Sequence, residues 1–371
     1  MAKKDSSKVE RTPVTSENDN ASFIKDLAQS VNTTLKRDAV MVGGDAAGGA
    51  TGVPYWVTTG IPALDFAVGG FGHPGFPGSR IIEIYGAEST GKSTLAVWLT
   101  KCAMEQMECI AYYQDAERVL TPEIIHGTGI DMSQVLLEQP ETIEEVFDAQ
   151  ETTLKLIKEK RPDTPVVITM DSVAACSTQS EIEGDMEDAQ MAPHARLMSK
   201  GLRKIKGSIT DTHVLSLWVN QTREKIGQAW GDKDETFGGR ALKFYSSVRI
   251  KLTKIKTLKK TTTSDPYGCT IEAKIIKNKV APPLKVATYD ILFIEDETGS
   301  YPMLDTTGAI LDWCKDNNLI GGGTGRYEVE GKSLYKEQAR EVLLSDWDIY
   351  NKYLELAYSI KVPEDDEETE E

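Results

Sequence analysis

Residues Gly86 to Ser93 read G-x-x-x-x-G-K-S, and the chemistry that spacing serves is the binding of a polyphosphate. Glycines let the chain curl until successive N–H groups and a helix N-terminus face one anion. Gly86, Ala87, Glu88, Ser89, Thr90, Gly91, Lys92, Ser93 and Thr94 form the candidate cradle. Lys92 is placed to reach the β and γ phosphates, Ser93 offers a hydroxyl to Mg²⁺, and Gly91 leaves room for the backbone to pass close to the ligand. The plain alternative is a turn that needs its glycines and carries a surface lysine. Context disfavours it, because the apolar run RIIEIYG precedes the turn and a helical pattern follows it.

A bound triphosphate calls for a carboxylate on the metal side. Val166 to Met170 is an apolar strand pattern that runs into Asp171, which leaves that carboxylate at the carboxyl edge of a parallel sheet, beside the exit of the loop. Ser93 and Asp171 are therefore the candidate metal ligands. Hydrolysis also needs a group that orients or deprotonates water. Asp115 and Glu117, in QDAE, stand at the end of another strand, Glu117 with the longer reach; a solvated loop acid is the alternative. Asn220 and Gln221 close the apolar run LSLWVNQ, where an amide can sense a γ-phosphate or cap the following turn.

The elements that must position these groups follow from periodicity. Strands are expected at Ile81–Tyr85, Cys109–Gln114, Val166–Met170 and Val214–Val219, with helices at Ser93–Met107, Thr142–Lys158 and Ala195–Ile209. Such alternation is the mark of an α/β fold with a mostly parallel central sheet. After Arg240 the pattern changes to strands at Ser247–Leu252, Thr270–Ile276 and Tyr289–Ile294, an antiparallel extension. Gly299–Pro302 reads as a turn, and short helices with aromatic anchors between Thr306 and Ile360 suggest a small α+β C-terminal lobe. Met1–Asn20 reads as disordered; an amphipathic helix at Ala21–Arg37, an apolar run at Ala39–Val42 and a Gly/Ala-rich linker form a tethered helix–strand element. The resulting division is 1–20, 21–56, 57–305, 306–360 and 361–371.

Composition sets the outer bounds. The chain of 371 residues is 40% hydrophobic with no run of membrane-spanning length, and its start, MAKKDSSKVE, lacks the apolar core of a secretory signal. Five scattered cysteines, an odd number without metal spacing, imply reduced thiols in a cytoplasm. The net charge of −16 conceals an asymmetry: PEDDEETEE closes the chain, whereas Arg240–Lys285 carries twelve Lys or Arg against Asp265 and Glu272. The acidic tail reads equally as a solubility appendage or a regulatory element.

Several stretches together resemble the RecA family of ATP-dependent DNA strand-exchange recombinases. They are GAESTGKST, DAE at Asp115–Glu117, MDSVAA, EIEGDMEDAQM, ARLMSKGLRKI, NQTREKIG, GGRALKFYSSVR and KNKVAPP, in family order from about Thr58 to Leu304. The resemblance implies a RecA-like P-loop ATPase core that uses ATP and Mg²⁺, with Glu117 activating water and Gln221 coupling the γ-phosphate to DNA. It implies two DNA-facing loops, Glu181–Ala192 and Asn220–Arg240, with Met191, Arg223, Lys225, Trp230, Phe237 and Arg240 at the DNA and Arg196 and Arg203 adding phosphate contacts. Lys277 and Lys279, on one face of a strand, would complete a neighbour's site in trans, and Phe244 would lie at that interface, with core packing as its alternative. The implied partners are single-stranded DNA, homologous duplex DNA, further copies in a helical filament and a single-stranded-DNA-binding protein, in the cytoplasm of a bacterium or of a phage-infected cell, with no membrane. The chain departs from the family at Thr121, Ile124, Ala192 and Glu224; Ile124 stands where the family stacks an aromatic on adenine, and Glu224 puts an acid inside the second loop. A hexameric helicase-like motor and a regulatory paralogue that barely hydrolyses ATP are the competing readings.

Overall fold

The computed structural model describes residues 17–36, 40, 42, 52–183, 191–211, 213–224, 234–296 and 299–360. The chain divides into a leading unit, Met1–Pro54, and a main body, Tyr55–Glu371. The leading unit holds α1 (Glu17–Leu35), which starts ahead of the expected Ala21. Phe23, Ile24, Leu27 and Leu35 are exposed along it. The Asn32 side chain then clasps the backbone of Val40, donating to its carbonyl and accepting from its N–H, each at 2.7 Å. Of the stretch Met1–Asn20 expected to be disordered, Glu17–Asn20 open α1 and the rest lies outside the described residues; the expected strand at Ala39–Val42 lies mostly outside them, and Val40 and Val42 are not in a strand.

In the main body β1 (Trp56–Val57) and β2 (Phe76–Pro77) pair with each other around α2 (Pro62–Gly69). The large sheet follows: β3 (Arg80–Gly86), β4 (Ile110–Asp115), β5 (Val135–Glu138), β6 (Val166–Asp171), β7 (Val214–Glu224), β8 (Asp234–Thr236), β9 (Val248–Lys259), β10 (Pro266–Asn278), β11 (Val286–Asp296) and β12 (Gly299–Leu304). Its order is β12-β11-β10-β9-β3-β7-β6-β4-β5, with β8 paired to the end of β7. From β9 to β5 every neighbour is parallel; from β9 outward to β12 every neighbour is antiparallel.

The central strand β3 is buried on both faces, which is why its sequence is nearly continuous in apolar residues. Ile82 and Ile84 enter one core with Leu95 and Leu99 of α3 (Lys92–Met107), and Ile81 enters the opposite core. That second core is closed by α5 (Ile143–Lys160) and α7 (Met191–Asp211), which approach so closely that a Cβ at Gly201 would lie 2.2 Å from the Phe147 ring. Thr142 and Glu145 form a reciprocal capping box at the start of α5, fixing its first turn. The short α4 (Pro122–Thr128) and α6 (Gln179–Glu183) lie between these elements.

Some expectations shift. The expected turn at Gly299–Pro302 is part of β12, paired with β11 from Asp296↔Gly299 to Ile291↔Leu304. β9 and β10 extend well beyond the expected Ser247–Leu252 and Thr270–Ile276. The added residues of β9 are lysines and threonines with only Ile255 and Leu258 among them, so the backbone ladder continues where burial, the basis of the sequence signal, has ended.

After β12 a lobe of α9 (Thr306–Asp316), β13 (Arg326–Val329), β14 (Lys332–Tyr335), α10 (Lys336–Ser345) and α11 (Trp347–Tyr358) packs around its own buried residues, among them Leu311, Leu343 and Tyr353. Phe66 of α2 docks it to the sheet, stacking on Trp313 at 5.0 Å and on Tyr358 at 5.7 Å. Beside the ring, the buried Asp65 carboxylate accepts from Thr59 N–H, the Thr59 hydroxyl and the Tyr358 hydroxyl. Phe66→Ala should cost about 3–5 kcal/mol and release the lobe from the sheet. Calorimetry should then resolve two unfolding transitions, and a single unshifted transition would rule out this docking role.

Candidate nucleotide site and nucleic-acid surface

The phosphate loop runs from the end of β3 into α3. Gly86 has no space for a side chain, since a Cβ there would meet the Leu252 carbonyl oxygen at 2.4 Å. Gly91 is left-handed (φ +76°) and its Cβ would lie 2.3 Å from Ile291 Cδ1, so both glycines are fixed by close approach of β9 and β11. Lys92 Nζ turns back into the loop and donates to the Ala87 carbonyl at 2.7 Å. Burial disfavours its charged form, while Glu117, Asp171 and Glu88 favour it. A largely dry ammonium inside a turn of backbone amides is a strong attractor for phosphate.

Asp171 ends β6, fully buried at the carboxyl edge of the sheet. Its Oδ2 accepts from the Tyr113 hydroxyl at 2.9 Å, whereas Oδ1 has no hydrogen-bond partner. Burial pushes this carboxyl up to about 7, against the hydrogen bonds of Ser93 and Tyr113. An orphaned carboxylate oxygen beside the Ser93 hydroxyl fits Mg²⁺, which takes one or two protein oxygens and fills its remaining positions from phosphate and water. Among the described residues no cluster of three or more His, Cys, Asp or Glu could hold a metal without such help.

The two acids of the DAE motif separate in role. Asp115 is buried and accepts from the N–H groups of Val119 and Leu120, at 2.8 and 3.1 Å, so it shapes the turn. Glu117 is exposed and reaches Gln221, whose side-chain amide donates to it. Ala116 N–H and Glu117 N–H both donate to the Asp171 carbonyl, locking this turn to the metal-side strand. Asn220 is buried and engaged with Glu83 and the Phe237 carbonyl, which leaves Gln221 as the amide facing the site.

A cavity of about 470 Å³ adjoins the loop, lined by Ser89, Gly91 and Thr94 on one side and by Lys254, Ile291 and Phe293 on the other. Sequence reasoning missed Phe293, a strand residue 41% exposed at this mouth; its register opposite Pro302 of the unforeseen β12 carried no local signal. Ile124 instead packs, partly buried, in a small cluster with Val97, Tyr113 and Ile130, and Thr121 caps α4 by accepting from Ile124 N–H.

Arg196, Lys200, Arg203 and Arg240 line one shallow groove, so the two arginines expected on one helix face meet a third from the turn after β8, and Lys200 joins them unforeseen. Phe237, expected at the DNA, is partly buried and packs against the core. The side chains of Met191 and Arg223, and residues Lys225 and Trp230 altogether, lie outside what is described. Phe244 is 68% exposed and so is not a core residue. Lys277 Nζ donates to the carbonyls of Lys243 and Phe244, at 2.6 and 3.2 Å, joining these two expected interface residues at one spot. β10 ends at Asn278, so Lys279 stands just past the strand rather than on it, its N–H bonded to the Ser247 carbonyl.

Gly91→Ala should weaken ATP binding at least tenfold, because the left-handed backbone and Ile291 both oppose a Cβ, at roughly 1–2 kcal/mol for the conformation alone. Gly72→Ala, with open space around it, is the control. Equal affinities in a fluorescence titration would mean that the loop does not contact the nucleotide.

Comparison with known proteins agrees with this geometry. The family profile of the RecA N-terminal domain matches residues 23–297. The chain is 38% identical to Protein RecA of Lactobacillus acidophilus over 301 residues, 81% of this chain and 78% of that one. It is 38% identical to Protein RecA of Nostoc punctiforme over 278 residues, 75% and 72% of the two chains. Protein RecA of a second Nostoc strain is 40% identical over 298 residues, 77% and 79%. With this likeness over most of its length, the chain belongs to the RecA family, the recombinases of DNA recombination and repair.

Proposed function

We propose that this chain hydrolyses ATP at the Gly86–Thr94 loop, polymerises on single-stranded DNA in a helical filament, and pairs that strand with homologous duplex. DNA-dependent ATPase activity, ATP and Mg²⁺, single-stranded DNA and self-assembly are the family's common ground. The observation that carries the finer reading is the hydrogen bond between Gln221 and Glu117. It joins the acid assigned to activate water to the strand that leads directly into the β7–β8 hairpin, so nucleotide state and hairpin position share one contact.

In this reading the loop amides and Lys92 hold the phosphates, and Glu117 orients the attacking water and accepts its proton. Ser93 and Asp171 would hold Mg²⁺, which when bound neutralises charge on the β and γ oxygens. Gln221 exchanges its bond to Glu117 for the γ-phosphate and moves the hairpin with it. The nucleoside extends into the cavity beside Phe293. Arg196, Lys200, Arg203 and Arg240 take DNA phosphates, with Met191, Arg223, Lys225 and Trp230 as further contacts in the two loops. A single-stranded-DNA-binding protein and the homologous duplex complete the partners.

Lys277 and Lys279 act on a neighbour's nucleotide. Register supports this: Lys277 pairs with Arg249, which pairs with Glu83, three residues before Gly86 on β3. That separation, about 10 Å along the strand at roughly 3.3 Å per residue, adds to the width of two intervening strand pairings.

Single-stranded DNA should stimulate ATP hydrolysis, with helical filaments in negative stain. Lys92→Ala should abolish turnover, and Glu117→Gln should slow it roughly 10²–10⁴-fold while sparing ATP-dependent DNA binding. Closed rings with directional unwinding would favour the helicase-like motor; DNA binding without turnover would favour the regulatory paralogue. Burial, with Lys279 and Arg249 nearby, lowers Lys277 to about 8. Its charge is therefore present below that pH and lost as pH rises through it. ATP-dependent filament assembly should weaken above pH 8 in light scattering, and Lys277→Arg should flatten the profile. The same profile in both proteins would remove Lys277 from the assembly contact.

A further inference from the structure

Asn220, Glu83 and Arg249 form a continuous polar row through the interior of the sheet, and the functional reading above gives none of them a role of its own. Asn220 clasps both limbs of the β7–β8 hairpin at its base. Its Nδ2 donates to the Phe237 carbonyl at 3.0 Å, and its Oδ1 accepts from Gln221 N–H at 2.9 Å. The same Nδ2 donates to Glu83 Oε1 at 3.1 Å. Glu83 Oε2 in turn receives Arg249 Nε, and the guanidinium lies 4.6 Å from the centre of the Tyr85 ring. Arg249 is in register with Glu83 on one side and with Lys277 on the other. Lys277 lies within electrostatic reach of both: burial first, then Lys279 and the Arg249 guanidinium, disfavour its charge, and the Glu83 carboxylate favours it.

Stability alone gives this row little reason to exist. Replacing a buried ion pair with packed apolar side chains is often neutral or stabilising, and Ile81 and Trp218, buried on the same face of the sheet as Glu83, show that the region accommodates such residues. The pair is also incompletely satisfied, since among the described residues the buried Arg249 Nη2 has no hydrogen-bond partner. A polar row costly to bury, anchored at the hairpin and ending beside the interface lysine, is suited to transmit a change of position.

We propose that Asn220, Glu83 and Arg249 are positioning residues that couple the hairpin facing DNA to Lys277 at the subunit boundary. A displaced hairpin withdraws Asn220 from Glu83, the freed carboxylate repartitions between Arg249 and Lys277, and the lysine changes its reach toward the neighbour. The inference rests on the filament reading above.

The test is the ratio of ATP turnover with single-stranded DNA to turnover without it, measured on the full chain. Asn220→Ala removes the clasp and keeps the Glu83–Arg249 pair, so the fold should survive, as a thermal melt will report. The ratio should fall at least tenfold, and Asn220→Ala combined with Lys277→Ala should lose no more than Lys277→Ala alone, since both sit on one path. Arg249→Lys, which keeps the buried charge but not the fixed Nε contact, should lower the ratio likewise and serves if Asn220→Ala does not fold. An undiminished ratio in folded variants, or losses that multiply in the double variant, would overturn the relay while leaving the filament function intact. A wild-type protein that DNA does not stimulate would instead overturn both.

Discussion

Two nearly dry charges at the carboxyl edge of the sheet, the Lys92 ammonium and the Asp171 carboxylate, set the terms for the rest of the molecule. Among the described residues neither has a full set of hydrogen-bond partners: the lysine donates to the Ala87 carbonyl, and one carboxylate oxygen has no partner. Leaving charged groups so exposed to a low-dielectric interior is costly unless a ligand supplies what is missing. The surrounding architecture keeps them there. β3 and β6 are held on either side of β7, and β9 and β11 press on the loop so that only glycine fits at Gly86 and Gly91.

From this edge the geometry spreads outward through few contacts. Glu117 is fixed by backbone bonds from its own turn to the Asp171 carbonyl at the end of β6, and Gln221 lies within its reach because β7 runs beside β6; on its other side β7 pairs with β3, Gln221 opposite Gly86. The nucleotide edge and the base of the hairpin are thus neighbours by strand order, with no intervening element. Phe244 and Lys277 lie elsewhere, where α8 (Ala241–Tyr245) meets the end of β10. There an exposed aromatic stands next to a lysine of weakened basicity, the surface to which the proposed filament contact is assigned.

How much of this could be read from the sequence depends on how local each feature is. The phosphate loop, the strand ending in Asp171 and the DAE acid are short motifs whose chemistry is written in consecutive residues, and the structure brings them together. The edge strand β5 was not legible, because Leu136 and Leu137 are both half exposed and give no alternation. Phe293, Lys200 and the Asn220–Glu83–Arg249 row acquire meaning only from strands and helices far apart in the chain. Glu83 in particular sits inside the run RIIEIYG, where a lone acid in an apolar strand signals an anomaly without naming its partner.

The order of the sheet also governs how the protein can come into being. The two hydrogen-bond partners of Glu83 lie 137 and 166 residues further along the chain, so the strand that carries the phosphate loop, among the first to be synthesised, is among the last to be enclosed. Until β7 and β9 have left the ribosome its apolar residues lack both neighbours, and a topology dominated by such distant pairings folds slowly and exposes unpaired edges meanwhile. The nascent chain carries its glycine-rich motif long before the strands that will enclose it have been made.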